Sequence, residues 1–242
     1  MLKNIVIDKV SEFFNSWQGE GPRMGQRATF LRFKYCNLNC PFCDTLHKFK
    51  NKKPIQVTCK ELQHYLIDTN YLVITGGEPL IHLDELTSVF NCIKQYDYNT
   101  VIGIETNGYS KNIDKLYDIF TKIGTRQDRI EIYFSPKLFI DEYKDRGSTI
   151  ENIKDSLIKL SFISELTPIP VDIYAKIVVS DIVKTQELIE LTKHVLPTNN
   201  IYLMPEGKNK KELTKNYQNT TKLAKIYNVN ITDRLHINFK FS

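Results

Sequence analysis

Residues 32–45 read R-F-K-Y-C-N-L-N-C-P-F-C-D-T, and this stretch decides how the rest of the chain is organised. It contains Cys36, Cys40 and Cys43, which are three of the 5 cysteines in a chain of 242 residues. Their spacing lets three thiolates converge on one inorganic centre, and such groups bind iron–sulfur clusters or zinc. A structural zinc site needs four ligands, and no Cys or His follows at zinc-finger spacing, although His47 lies close by. Three ligands on a four-iron cluster leave one iron open, which predicts a catalytic site.

Outward from the cysteines, apolar runs alternate with stretches of helical periodicity. Residues 28–35 predict a strand that leads directly into the cysteines, and residues 4–14 predict a strand that forms a short hairpin with it. Further strands are predicted at 71–75, 100–105, 130–134, 172–180 and 200–204, and helices at 58–68, 84–97, 111–123, 149–165, 181–195 and 209–227. Strands separated by helices form parallel βα units with right-handed crossovers. Six such strands, counted from residue 28, predict an α/β fold, namely an open, partial (β/α)6 barrel with parallel strands and the helices outside.

The chain is predicted to form a single domain over residues 1–242. An N-terminal extension, residues 1–27, carries an irregular loop at 16–22, and the core follows over residues 28–242. Hydrophobic residues make up 41% of the chain and charged residues 25%, as in soluble globular proteins. No apolar run is long enough to span a membrane, and the N-terminus does not resemble a secretory leader, which together predict a cytoplasmic protein.

The remaining two cysteines, Cys59 and Cys92, lie in stretches with helical periodicity. A reducing cytoplasm and an odd number of cysteines both argue against disulfide bonds. We therefore expect these two residues to be free thiols, buried as small apolar side chains.

The formal net charge is +5, and the lysines are densest at residues 48–53 and 208–211. Basic patches of this size are typical of solvated surfaces, and they are also the feature that a nucleic-acid-binding module would use. We expect both patches to be solvated and the protein not to bind nucleic acid directly.

Polar or glycine-rich clusters follow the predicted parallel strands. They are T-G-G-E-P at 75–79, T-N-G at 106–108, S-P-K at 135–137 and P-E-G at 205–207, in addition to the cysteines. Each cluster alone is compatible with a plain turn, since Gly-Gly and Asn-Gly are common turn sequences. Because the carboxyl ends of parallel strands meet at one rim, where ligands bind in α/β folds, the clusters together predict a ligand site.

The spacing C-x3-C-x2-C, with an aromatic residue before the last cysteine, resembles the cluster motif of the radical S-adenosylmethionine (SAM) superfamily. The resemblance implies a 4Fe-4S cluster held by Cys36, Cys40 and Cys43. It also implies that SAM chelates the open iron and is cleaved by one electron to a 5′-deoxyadenosyl radical. The residues that it assigns to SAM binding are Phe42, Asp44, Gly76, Gly77, Glu78, Thr106, Asn107, Ser135, Pro136, Lys137, Met204, Pro205, Glu206 and Gly207.

Within the superfamily, the chain looks like the 7-carboxy-7-deazaguanine synthase family. The resemblance rests on Q-G-E-G at 18–21, C-D-T at 43–45 and the rim motifs, in this order along nearly the whole chain. It implies a lyase that converts 6-carboxy-5,6,7,8-tetrahydropterin to 7-carboxy-7-deazaguanine, with ring contraction and loss of ammonia, in queuosine-type deazapurine biosynthesis. It further implies a magnesium requirement, a homodimer, and an electron donor such as flavodoxin or ferredoxin. The chain departs from the family at Met204, where many relatives carry glutamine, and its tail resembles the family's ending around Arg234 and His236.

The same resemblance assigns the pterin and magnesium sites. Arg32 would pair with the substrate carboxylate, because a guanidinium binds a carboxylate through two parallel hydrogen bonds; the alternative is a solvent-facing arginine. Thr45 would give its hydroxyl to Mg²⁺, which prefers oxygen ligands; the alternative is that residues 44–45 cap a helix. The other residues assigned to the pterin are Trp17, Gln18, Gly19, Glu20 and Thr75.

Two other functions compete with this interpretation. An activase that makes a glycyl radical on a partner protein shares the cysteine spacing, but it has no reason to carry Q-G-E-G together with Arg32. A non-enzymatic metal- or RNA-binding module would use the basic patches, and it would leave the rim motifs unexplained.

Overall fold

The computed structural model describes residues 5–41, 43, 51–96, 100–108, 111, 113–123, 129–139 and 148–240. Within these ranges, nine strands form one sheet in the order β3-β1-β2-β4-β5-β6-β7-β8-β9. The strands are β1 (Val6–Trp17), β2 (Arg27–Phe33), β3 (Ile55–Thr58), β4 (Tyr71–Gly76), β5 (Val101–Thr106), β6 (Arg129–Phe134), β7 (Val171–Val179), β8 (Ile201–Pro205) and β9 (Asn230–Ile231). The sheet neighbours from β2 to β9 run parallel, while β1 pairs antiparallel with both β2 and β3. In the described part of the chain β3 and β9 are the edges of the sheet, so the barrel is open, as predicted.

Helices connect the parallel strands and cover the outer face of the sheet. They are α1 (Cys59–Leu66), α2 (Leu83–Tyr96), α3 (Lys115–Ile123), α4 (Ile150–Leu166), α5 (Ile182–Lys193), α6 (Lys210–Tyr227) and α7 (Leu235–Asn238). Side-chain N-caps at Thr58, Thr149, Asp181 and Asn209 begin α1, α4, α5 and α6 by accepting a hydrogen bond from the first turn. None of the helices that the structure describes has the length and apolar character needed to cross a membrane.

Side chains alternate between the two faces of each strand, and this alternation separates the core from the functional face. On β6, Ile132 packs into the large apolar core beneath the helices, whereas Tyr133 belongs to a small cluster on the inner face. On β7, Ile177 lies in the same core, whereas Lys176 points to the inner face and is only 2% exposed. The apolar positions therefore hold the helices to the sheet, and the alternate positions are free to carry polar groups inside the barrel.

A glycine makes room for two tyrosines on the inner face of the sheet. A Cβ on Gly103 of β5 would lie 2.7 Å from the ring of Tyr133 and 3.0 Å from the hydroxyl of Tyr71. Without that Cβ the two rings fill the interior, and their hydroxyl oxygens hydrogen-bond at 2.9 Å.

The six parallel strands and six helices predicted from the sequence are present, with boundaries shifted by a few residues. The hairpin between the first two strands is also confirmed. Three short elements were not predicted, namely β3, β9 and α7, which contain 4, 2 and 4 residues. Elements this short do not span enough residues to show a period.

The expectation that Cys59 and Cys92 are free thiols is wrong, because a disulfide bond joins them. Both residues are buried, as predicted, with 5% and 1% exposure. Cys59 begins α1 and Cys92 lies in α2, and the packing of these two helices brings their Cα atoms to 5.2 Å, within the range that a disulfide requires. The pair is 33 residues apart in the sequence, so only the helix packing reveals it.

Candidate active site

A cavity of about 920 Å³ lies inside the open barrel. Its volume falls within the range of small-molecule sites. The strand ends contribute side chains such as Thr75 from β4 and Glu105 from β5, while Gln18 comes from the N-terminal loop and His236 from the C-terminal segment. The N-terminal loop and the C-terminal segment therefore meet the cysteines at one cavity.

Cys36, Cys40 and Cys43 all line this cavity as free thiols. Burial raises the pKa of Cys36 to about 12 and the pKa of Cys40 to about 11, so both are protonated at neutral pH until a metal displaces the proton. No three Cys, His, Asp or Glu side chains in the described ranges are placed to bind one and the same metal ion. Three thiols that face one cavity do fit a four-iron cluster, in which each cysteine binds a different iron.

Two glycines hold the cysteine loop against the end of β4. The Gly77 N–H donates to the carbonyl of Phe33 at 2.9 Å, and the Glu78 N–H donates to the carbonyl of Tyr35 at 2.7 Å. A Cβ on Gly77 would overlap with the Tyr35 carbonyl, and a Cβ on Gly76 would overlap with the Phe33 carbonyl. Gly76 also has a φ of 128°, which residues with a side chain rarely adopt. Both glycines are therefore required to seat the cysteine loop, whatever ligand they meet.

Glu78 connects this glycine loop to the loop after β5. Its side chain is 1% exposed, and its carboxylate accepts hydrogen bonds from the Thr106 hydroxyl at 2.5 Å, the Asn107 N–H at 2.7 Å and the Leu80 N–H at 2.9 Å. Burial raises the pKa of Glu78 to about 7, against the opposite effect of these hydrogen bonds. The Asn107 side chain in turn donates to Asn37 in the cysteine loop at 3.1 Å. Glu78 thus positions Asn107 beside the cysteines.

Ser135 and Lys137 follow β6 and line the same cavity. The Lys137 ammonium donates to the Ser135 hydroxyl at 2.6 Å, and that hydroxyl donates to the backbone carbonyl of Lys176 at 3.0 Å. The positive charge of Lys137 also lowers the pKa of Cys40, although burial outweighs it. The pair therefore places a cation close to the cysteines.

Lys176 is buried on the inner face of β7 between two carboxylates. Its Nζ lies 2.6 Å from Oε2 of Glu105 and 2.9 Å from Oε2 of Glu20. Glu20 also pairs with Arg234, whose Nε lies 3.1 Å from Oε1. Burial favours a higher pKa for Glu20, but Lys176 and Arg234 hold its pKa well below the usual range, whereas burial raises the pKa of Glu105. Burial disfavours the ammonium, yet the two carboxylates raise the pKa of Lys176, so the lysine stays charged.

The N-terminal loop and the C-terminal segment are joined next to these charges. The Leu235 N–H donates to the carbonyl of Gly19 at 3.0 Å. Nε2 of His236 lies 3.9 Å from Oε1 of Glu20. A Cβ on Gly19 would lie 2.5 Å from Nδ1 of His236, so the glycine allows the histidine to approach. Gly19 is therefore needed where the N-terminal loop and the C-terminal segment meet.

Arg32 lies on β2 and lines the cavity, with its side chain 20% exposed. Its Nε is 3.3 Å from Oε2 of Glu12 on β1, and Nζ of Lys52 is 3.5 Å from the other oxygen of that carboxylate. The guanidinium therefore lies in the cavity with a carboxylate already beside it. A substrate carboxylate would have to join or replace Glu12.

Most of the site residues predicted from the sequence come together at this cavity. Those that line it are Trp17, Gln18, Gly19, Glu20, Arg32, Cys36, Cys40, Cys43, Thr75, Gly76, Gly77, Glu78, Thr106, Asn107, Ser135, Lys137, Met204 and Glu206. Pro136, Pro205 and Gly207 are not among the lining residues. The Gly207 carbonyl instead accepts a hydrogen bond from Arg234 at 2.8 Å. Phe42, Asp44 and Thr45, together with His47, lie outside the described residues.

Several lining residues were not assigned from the sequence, among them Glu12, Glu105 and Lys176. The sequence does contain a signal for two of them. Lys176 interrupts the apolar strand β7, and Glu105 ends the apolar run of β5. A charged side chain within a buried strand needs a partner of opposite charge, so these two positions are recognisable as candidates without the structure.

Comparison with known proteins places the chain among radical SAM enzymes. The family model described as the Radical SAM superfamily matches residues 31–161. A 7-carboxy-7-deazaguanine synthase from Hyperthermus butylicus is 29% identical over 95% of this chain and 91% of its own length. A protein of the same name from Bacteroides thetaiotaomicron is 32% identical over 53% of this chain and 71% of its own length. A third, from Clostridium acetobutylicum, is 41% identical over 41% of this chain. The match spans less than half of that relative's own length, 46%.

Two solved structures resemble the fold. The crystal structure of QueE from Escherichia coli has a TM-score of 0.60 at 19% identity and covers 94% of this chain and 93% of that chain. Native anSMEcpe with bound AdoMet has a TM-score of 0.53 at 14% identity and covers 84% of this chain and 62% of that chain. At these identities the likeness supports the architecture of the barrel.

Proposed function

The chain belongs to the radical SAM superfamily and, within it, to the 7-carboxy-7-deazaguanine synthases, and we propose that it is a lyase that converts 6-carboxy-5,6,7,8-tetrahydropterin to 7-carboxy-7-deazaguanine. In this reaction the ring contracts and ammonia is lost. The observation that carries the proposal is the cavity, where three cysteines and a wall of paired charges line the same space. A flat, polar pterin with a carboxylate needs such charged and amide-bearing partners.

Cys36, Cys40 and Cys43 would hold a 4Fe-4S cluster, and SAM would lie at the iron that no cysteine binds. When bound, these groups supply the 5′-deoxyadenosyl radical that starts the reaction. The chain's own part is to place SAM. Asn107, held by Glu78, offers an amide beside the cysteine loop. The remaining residues proposed for SAM are Phe42, Asp44, Gly76, Gly77, Thr106, Ser135, Pro136, Lys137, Met204, Pro205, Glu206 and Gly207.

The pterin would lie along the inner faces of β2 and β4. Arg32 and Thr75 are partners in the register of these two strands, so their side chains stand side by side on the inner face. The guanidinium of Arg32 would bind the substrate carboxylate, and Thr75 would contact the ring. Glu20, kept ionised by Lys176, would accept hydrogen bonds from the amino and ring N–H groups of the pterin edge. Trp17, Gln18 and Gly19, which precede Glu20, would complete this contact.

Further properties are proposed from the family likeness alone. Mg²⁺ would bind to the hydroxyl of Thr45. The protein would act as a homodimer of single-domain chains in the cytoplasm, with an electron donor such as flavodoxin or ferredoxin.

The decisive experiment is anaerobic reconstitution with iron and sulfide, followed by reaction with SAM, dithionite, Mg²⁺ and the carboxylated pterin. Mass spectrometry should then show 7-carboxy-7-deazaguanine that depends on the pterin. If the loaded protein cleaves SAM but yields no deazaguanine, the proposal is wrong. A magnesium titration of Thr45→Ala tests the metal assignment, because the variant should need more Mg²⁺ than the parent while it still assembles the cluster.

A further inference from the structure

Arg23 and Glu131 form an ion pair on the side of the N-terminal loop that faces away from the cavity. Neither residue is among those that line the cavity. Both line a separate cleft with residues that include Pro22 and Gln26. Residues 18–26, which we call the floor loop, therefore contact the cavity through their first residues and this cleft through their later ones.

Backbone hydrogen bonds make the floor loop a closed unit. The Gln18 N–H donates to the carbonyl of Gln26 at 2.7 Å, and the Gly25 N–H donates to the carbonyl of Gln18 at 2.7 Å. The Gln26 N–H donates to the carbonyl of Arg23 at 3.0 Å. Because Gln18 is bonded to Gln26, which is itself bonded to Arg23, a shift of the arginine would be transmitted to Gln18.

Arg23 fixes this loop to β6 through a two-pronged contact. Its Nε and Nη2 lie 2.6 and 2.7 Å from the two carboxylate oxygens of Glu131, and its Nη1 donates to the Gln26 side chain at 2.9 Å. Glu131 is 2% exposed and also accepts a hydrogen bond from the Tyr133 hydroxyl. The guanidinium lies 5.3 Å from the ring centre of Tyr71. A bidentate pair of this kind fixes orientation as well as distance.

The other end of the loop contacts the charges of the cavity wall. The Gln18 side chain donates to Glu105 at 3.3 Å and accepts from the Glu20 N–H at 3.3 Å. A Cβ on Gly21 would lie 3.2 Å from Cδ of Lys176, so the loop passes close to the buried lysine. The position of Gln18 and Glu20 in the cavity therefore depends on where the loop is held.

We propose that Arg23 is a positioning residue for the pterin site, which with Glu131 holds the floor loop so that Gln18 and Glu20 face the substrate. Arg23 acts through the loop and does not itself touch the pterin. The inference rests on the proposed function, because it takes the cavity to be a pterin site. Removing the Arg23 guanidinium leaves the buried Glu131 with Arg129, whose Nε lies 3.4 Å from Oε1, and takes away the contact that fixes the loop to β6.

Binding of the carboxylated pterin to the reconstituted protein tests the proposal, with Trp17 as the reporter. Trp17 is the single tryptophan of the chain. It directly precedes the floor loop and lines the cavity, so its fluorescence emission responds to the position of the loop. Arg23→Ala should shift the Trp17 emission and weaken pterin binding by about tenfold or more, where tenfold corresponds to about 1.4 kcal/mol. The rate of SAM cleavage without pterin should stay at the parent level.

A second variant keeps the test valid if Arg23→Ala folds poorly. Arg23→Lys keeps a positive charge beside Glu131 and so should fold, but an ammonium cannot make the two-pronged contact that holds the loop, so pterin binding should stay weaker than in the parent. Lys222→Ala is the control, because Lys222 is an exposed cation on α6, outside the floor loop and its contacts, and should change nothing.

The outcomes separate this inference from the proposed function. Unchanged pterin binding and unchanged Trp17 emission in Arg23→Ala would overturn the positioning role. An equal loss of SAM cleavage and pterin binding would also overturn it, because the pair would then support the fold as a whole. If the parent does not bind the pterin, the proposed function fails, and the Trp17 emission of Arg23→Ala alone still decides whether the pair holds the loop.

Discussion

Lys176 and Glu105 form an ion pair across the inside of the barrel, with Nζ 2.6 Å from Oε2. They stand on β7 and β5, which are separated in the sheet by β6, so the lysine side chain spans the strand between them. Glu20 joins from the N-terminal loop at 2.9 Å. The buried ammonium of Lys176 thus links β5 and β7 to the N-terminal loop.

Replacing Lys176 with methionine should destabilise the fold and abolish pterin turnover. Glu20 and Glu105 would lose their shared partner, and breaking a buried ion pair from one side costs about 3–5 kcal/mol. Thermal unfolding of the variant and parent measures the loss. Lys159→Met is the control, because Lys159 pairs with Asp155 on the surface and such pairs contribute about 1 kcal/mol or less. Equal shifts in the two variants would mean that the buried cluster has no special role in stability.

Changing Cys36, Cys40 or Cys43 to alanine should prevent cluster assembly and SAM cleavage. Each thiol would bind a separate iron, so no remaining cysteine replaces a lost one. Iron content and 5′-deoxyadenosine formation after reconstitution provide the measurement. Cys59→Ala should load the same amount of iron as the parent, since this residue is buried in the disulfide and away from the cavity lining. Full SAM cleavage by Cys40→Ala would refute the ligand assignment.

The disulfide between Cys59 and Cys92 should stabilise the fold by about 3–4 kcal/mol, because it closes a loop of 33 residues in the unfolded chain. Denaturant unfolding with and without a reductant should show this difference for the parent. The combined Cys59→Ala and Cys92→Ala variant should have the same free energy of unfolding as the reduced parent. Adding the reductant should not change that value. Detection of five free thiols in the denatured, unreduced protein would show that the bond does not form.

Glu78 should make the fold less stable as the pH rises from about 4.5 to about 7. The reason is that burial raises its pKa from 4.5 to about 7 in the folded protein. A carboxyl that holds its proton more tightly when folded contributes stability below pH 4.5 and loses it as the pH rises through 7. The loss amounts to about 3 kcal/mol. Glu78→Gln removes this titration, so the free energy of unfolding of the cluster-free variant should vary less over the interval. Parallel curves for parent and variant would assign the proton to another group.

Arg32→Ala should reduce turnover of the carboxylated pterin strongly and leave SAM binding nearly unchanged. The substrate carboxylate would lose a charge-assisted, bidentate partner, and Glu12 would lose the same guanidinium. Arg32→Lys should recover part of the activity. An ammonium keeps the positive charge but lacks the planar guanidinium that binds a carboxylate through two parallel hydrogen bonds. The measurement is kcat/KM for the pterin beside the Kd of SAM. Losses of equal size in both would instead mean that Arg32 supports the cysteine loop.

Much of the fold and of the candidate site could be predicted because their signals are local. A buried strand, the helix that follows it and the turn at its end each lie within a few consecutive residues. The placement of Gly76, Glu78 and Asn107 at one rim follows from the rule that parallel strands point the same way. The contacts that these residues make in the folded chain were less predictable. The two glycines seat the cysteine loop, and Glu78 uses its carboxylate within the chain.

The sequence by itself determined the order of the longer strands and helices, the open barrel and most of the residues at its rim, since each depends on the pattern of neighbouring side chains. Only the tertiary structure decided which distant groups meet. It paired Cys59 with Cys92, Arg23 with Glu131 and Glu20 with Arg234. These contacts depend on how helices pack and how the sheet curves, because side chains far apart in the chain approach each other only after the barrel has formed. The pattern of apolar residues in the sequence shows the periodicity of each helix or strand, but it does not show how the sheet curves.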